Sequence, residues 1–147
     1  MENTPEILPQ LTAYQPALLA LAVLLLSVLV QSMLTAPLAF IKGEQAPGSP
    51  LQGGHDLFSF RVLRAYLNSV ENLPGFGLAL GLAIALGLDA STVNWLAGAH
   101  VAFRLLFWFV YYSGIGKVAG GPRTLSYVGA LTANMILAGY VLYGLLQ

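Results

Sequence analysis

Apolar and polar positions alternate in long blocks rather than short ones along this chain. No charged side chain falls between Glu6 and Lys42, and the apolar run from about Tyr14 to Leu38 exceeds the roughly 20 residues a helix needs to cross a bilayer. From Lys42 to Asp56, Gly, Pro, Gln and Ser predominate, and a loop is expected. Phe58 to Leu88 reads as one long helix whose first third is polar and which carries no charge after Glu71. Its charge-free part is slightly short for a crossing, so Asn68 and Glu71 should be drawn toward the membrane. Asp89, Ser91 and Thr92 have N-cap character, and Val93 to Tyr112 follows as a third apolar block that contains Arg104. Gly114, Gly116, Gly120, Gly121 and Pro122 mark another loop, and Thr124 to Leu146 forms a fourth block without charge. The expected fold is an all-α membrane protein: one domain over residues 1–147, with four transmembrane helices at about 14–38, 58–88, 92–112 and 124–146.

Composition agrees, since 57% of the residues are hydrophobic and only 8% are charged. A soluble domain carries about a quarter charged residues. Six acidic and six basic side chains cancel, so nothing argues for a nucleic-acid partner. The absence of cysteine removes disulfides, thiolate metal ligands and a cysteine nucleophile, and no His, Asp and Glu set has metal-site spacing. The leader Met1–Glu6 is acidic and the run after it too long for a signal-peptide core, so the first helix should remain in the mature protein. Lys42, Arg61 and Arg64 flank the first loop, and Lys117 and Arg123 the third. By the positive-inside rule those loops are cytoplasmic and both termini lie on the other side. The expected location is the bacterial inner membrane.

Chemistry concentrates in Arg61-Val-Leu-Arg64-Ala-Tyr-Leu-Asn68-Ser-Val-Glu71-Asn72. At about 100° per residue, Arg61, Arg64, Asn68, Glu71 and Asn72 fall within an arc of roughly 100°. On the third helix His100, Arg104, Phe107 and Tyr111 share a stripe by the same spacing. Ionisable groups in hydrocarbon cost at least about 2.5–3.5 kcal/mol each unless they meet a partner or water. Three arginines against one glutamate leave a positive surplus, which suits a ligand with carboxylates and an amine: guanidinium forks for the former, Glu71 for the latter. The plainer alternative is a structural ion network, with Glu71 paired to Arg64 or Arg104 and Arg61 reaching to the interface.

Other signals are weaker. Gly114-Ile-Gly116-Lys-Val-Ala-Gly120 has the wrong spacing for a nucleotide loop. Gly77 and Gly81 form a small-xxx-small pair suited to close helix contact. His55 and Asp56 read as a solvated cap in the first loop, and His100 as a packed helix residue. Trp95, Tyr140 and Tyr143 read as interfacial belt residues.

Arg64, Asn68 and Glu71, followed closely by Pro74, resemble the Arg-x-x-x-Asn-x-x-Glu pattern that opens the second helix in the membrane-associated proteins in eicosanoid and glutathione metabolism, the MAPEG family. Arg61 is similar to that family's additional arginine one turn earlier. Arg104 and Tyr111 are similar to its third-helix arginine and tyrosine, and Pro122-Arg123-Thr124-Leu125-Ser126-Tyr127 to its fourth-helix opening. The resemblance implies a left-handed four-helix bundle assembled as a homotrimer, with a glutathione site facing the cytoplasm at each subunit boundary. Arg61, Arg64, Asn68, Glu71, Arg104 and Tyr111 would then hold glutathione as co-substrate. Arg123 would stabilise its thiolate, with Lys117 as the competing cation. Phe107 departs from the tyrosine often found there in active members, and Asn72 from an aromatic or variable position. The implied activity is a glutathione-dependent transferase or peroxidase acting on lipophilic small molecules or lipids. Alternatives are a non-catalytic lipid-binding or scaffold member, and a small-molecule channel or transporter component. The last is disfavoured because the charges cluster at one end and no span is interrupted at mid-membrane.

Overall fold

A computed structural model describes residues 11–116 and 119–147; Lys117, one of the two candidate thiolate partners, lies outside them. Among these residues four long helices follow one another: α1 (Gln15–Thr35), extended by a π-helical segment Ala36–Phe40, then α2 (Phe58–Ala85), α3 (Ala90–Ser113) and α4 (Pro122–Leu145). Pro37 sits in the π segment, where its missing N–H removes an intrahelical bond and the turn widens. α1 with its extension, α3 and α4 are each long and apolar enough to cross a membrane. α2 carries the polar stretch within its own length.

The helix ends are built from particular side chains. Asp89 caps α3, its Oδ2 accepting from Thr92 N at 2.8 Å and Thr92 Oγ1 at 2.7 Å. Gly114, at φ 71°, closes α3 in the left-handed conformation that a side chain would disfavour. Pro122 opens α4, where its missing N–H costs nothing. α1 has no cap of its own; Asn94 of α3 accepts from Ala17 N at 3.1 Å and donates to Ala13 O at 2.9 Å. Tyr14 Oη donates to Leu88 O beside this clamp.

Packing follows membrane rules. Large apolar side chains such as Leu19, Leu26, Leu29 and Met33 point outward, where lipid tails suit them as well as a protein core would. Close helix approach relies on small residues instead: Ala17, Ala65, Ala83 and Ala97 are fully buried. At Gly129 an added Cβ would lie 2.7 Å from the Phe103 ring. The expected close contact at Gly77 and Gly81 is not made within the chain. A Cβ at Gly77 would only touch Leu21 at 3.9 Å, and one at Gly81 would meet nothing within 4 Å, because this side of α2 faces outward.

Candidate functional site

The polar residues of α2 and α3 meet in two layers. The inner layer is centred on Arg104, which is 1% exposed. Its Nη1 donates to Asn68 Oδ1 at 2.7 Å, its Nη2 to Ser69 Oγ at 3.3 Å, and its guanidinium lies 5.0 Å from the Phe107 ring centroid. Ser69 Oγ also accepts from Trp108 Nε1 at 2.7 Å and donates to Ala65 O at 2.8 Å. Burying this cation is tolerable because neutral oxygens and an aromatic face stand where water would be. The His100–Arg104–Phe107–Tyr111 stripe is buried along its whole length. His100 donates through Nδ1 to Ala130 O at 2.9 Å and stacks on Phe76, as a packed helix histidine should.

The outer layer is a groove of about 360 Å³ lined by Arg64, Asn68, Glu71, Phe107, Tyr111, Arg123, Thr124 and Tyr127. Arg64 and Glu71 sit on its α2 edge, with Nη1 and Oε1 3.4 Å apart and side chains 42% and 55% exposed. Such an exposed, long pair is worth about 0–1 kcal/mol. A ligand carboxylate and ammonium can therefore replace each partner at little cost. Across the groove Arg123 is almost wholly buried, its guanidinium 4.5 Å from the Tyr111 ring centroid and its Nε without a hydrogen-bond partner among the described residues.

Arg61 belongs to neither layer. Its Nη1 donates to His55 O at 2.8 Å and Asp56 O at 3.0 Å, its Nε to Tyr112 O at 3.4 Å, and it packs against Phe58. It thereby ties the first loop to the end of α3. The loop itself is pinned by Gln45, whose amide exchanges bonds of 2.7 and 3.0 Å with the Gln52 backbone. Five residues that share one helical arc thus divide: Arg64 and Glu71 to the groove edge, Asn68 to its floor, Arg61 to the loop, and Asn72 back onto Asn68 O at 2.7 Å.

His55 is not the solvated cap its loop position suggests. Held by its carbonyl to Arg61, it turns inward, its ring 4.9 Å from Phe60 and 5.4 Å from Tyr111, and its Nδ1 accepts from Arg123 Nη1 at 3.0 Å. Since a guanidinium can only donate, the imidazole here is the neutral tautomer with its proton on Nε2. Burial, then Arg123, Arg61 and Arg64, push His55 below its ordinary pKa, with Asp56 opposing. Ser69, Trp108 and His55 are the members of this constellation that periodicity does not single out. Ser69 adjoins Asn68 in sequence but lies about 100° round the helix, outside the arc shared by Arg61, Arg64, Asn68, Glu71 and Asn72.

Three helices of membrane-spanning length and composition, with a cation-rich groove lined from α2, α3 and α4, define an integral membrane protein. The chain belongs to the MAPEG family, whose model matches residues 13–143, nearly its full length. No curated protein matches the sequence significantly.

Proposed function

We propose that the protein is a membrane-bound glutathione transferase that joins the glutathione thiolate to lipophilic electrophiles. The observation that carries this reading is the groove in which Arg64, Glu71, Tyr111 and Arg123 converge over Asn68. In it Arg64 takes a carboxylate of the tripeptide, Glu71 its ammonium, and Arg123 lies beside the sulfur. A cation there lowers the thiol pKa from its free value near 8.5 and raises the thiolate fraction at neutral pH. The thiolate attacks the electrophilic carbon, an S–C bond forms, and the leaving group departs with its electron pair; no protein nucleophile is needed. Arg61 and Arg104 act at one remove, the first by holding the loop and the second by fixing Asn68. Lys117 stays the competing cation. Within the same proposal α2 is the fourth crossing, the polar end faces the cytoplasm with both termini opposite, and the whole chain is one domain. Three copies associate, since the half-exposed Arg64 and Glu71 on a membrane helix call for a covering neighbour.

Adding glutathione to the purified protein should raise thiolate absorbance, and Arg123→Leu should abolish that rise while changing glutathione affinity only a few-fold. Turnover with chlorodinitrobenzene should collapse at neutral pH in Arg123→Leu and recover in part at high pH. A shift of the pH–rate profile in Lys117→Leu alone moves the role to Lys117. A second reading, a non-catalytic lipid binder, draws on an apolar groove of about 560 Å³ between α1, α2 and α3, lined by residues including Leu26, Val30, Leu34, Phe58 and Trp108. No thiolate and no turnover by the parent with several electrophiles and hydroperoxides would favour it.

A further inference from the structure

Arg123 reaches its place by an indirect route. It enters at the start of α4, after a glycine-rich loop, and among the described residues no carboxylate is bonded to it. Among the described residues, the Tyr111 ring and His55 Nδ1 meet the guanidinium. His55 is in turn fixed by Arg61 through its carbonyl and by Phe60 and Tyr111 through its ring. The first loop therefore carries an acceptor from α2 across the groove to α4, linking the two arginines that the helices themselves keep apart.

We infer that His55 is the positioning residue for Arg123: its neutral imidazole holds the guanidinium over Tyr111 at the groove, and its protonation releases it. The inference rests on the reading of Arg123 as the thiolate partner. Protonated Nδ1 would set N–H against N–H at 3.0 Å, exchanging an accepted hydrogen bond for two like charges. Among the described residues, the charged and titratable groups facing the ring are Arg123 from α4, Arg61 and Arg64 from α2, Tyr111 from α3 and Asp56 from the loop. Three of these five are cations, so the neutral ring is favoured and the release belongs to the acid side of neutrality. Glutathione activation then has two acid-side limits, the thiol's own ionisation and that of a loop histidine which never touches the ligand.

Two measurements on the full chain in detergent test this. The first is an NMR titration of the His55 ring, assigned against His55→Asn, in the parent and in Arg123→Leu; the pKa should rise when the guanidinium is removed. The second is the pH dependence of bound-glutathione thiolate in the parent, His55→Asn and His55→Ala. Asparagine offers an acceptor near the Nδ1 position but does not titrate. It should keep the neutral-pH thiolate within about twofold and reduce a two-group acid limb to one group. Alanine should lower the thiolate fraction at neutral pH by about tenfold, as expected for losing a bond to a charged group. Parent-like behaviour of His55→Ala, or a two-group limb persisting in His55→Asn, would overturn the inference. If the parent forms no thiolate, the NMR arm decides: a pKa that moves in Arg123→Leu upholds the His55–Arg123 coupling and sinks only the glutathione reading, whereas one that stays sinks the coupling.

Discussion

Asn68 and Glu71 sit three residues apart on one helix, yet one is a floor and the other an edge, and their substitution should be read differently. Arg64→Ala should weaken glutathione by roughly ten- to a hundredfold, the loss of one charge-assisted contact of about 1.5–3 kcal/mol. Glu71→Gln should weaken it as well. Isothermal titration showing parent-like affinity in both would return the pair to a structural role. Ser69 governs stability rather than binding, because its hydroxyl accepts from both Arg104 and Trp108. Ser69→Ala should cost about 1–3 kcal/mol by leaving those buried donors short of an acceptor. Detergent unfolding that places the variant within about 0.5 kcal/mol of the parent would mean the inner layer contributes little.

The helices differ in what holds their ends, and the α3 start is open to test by pH. Hydrogen bonds from the Thr92 hydroxyl and then the Thr92 N–H keep the Asp89 carboxyl below its ordinary pKa, with slight burial opposing them. A depressed carboxyl contributes stability that is full above its unfolded pKa of about 4 and fades as pH falls through the folded value. Asp89→Ala should thus lower the unfolding midpoint at neutral pH, and the deficit should shrink under acid conditions. Asp89→Asn should lose less, since asparagine also caps. A deficit independent of pH would show that the cap acts by shape and not by charge.

The helices of one chain do not by themselves cover a groove whose α2 edge is half-exposed, and the proposed trimer would supply that cover. The outward side of α2 two to three turns beyond Glu71 includes Leu78, Gly81 and Leu82. Gly81→Leu meets no atom of its own chain at the first added carbon, yet it should dissociate the assembly if this side is a subunit contact. Native mass spectrometry should give a trimer for the parent and smaller species for the variant. A parent that is monomeric with glutathione binding intact would refute the subunit-boundary site.

The course of the chain is legible in the sequence. Bilayer thickness sets the length of an apolar helix, and Asp89, Gly114 and Pro122 mark their helix ends by local backbone chemistry, so elements and boundaries follow from neighbours in sequence. The same holds for the polar arc of α2 and the stripe of α3, which need only the helical repeat. What that repeat leaves open is direction. An arc of about 100° is wide enough to reach the core, the surface and the next loop at once. The rotation of α2 against α3 decided that Asn68 turns to Arg104 while Glu71 stays outside. The loop fold decided still more: His55 meets Arg123 across 68 positions, and Asn94 caps a helix 77 positions away. Such pairs carry no periodic mark, because the hydrogen bonds that join them exist only once separate helices have packed.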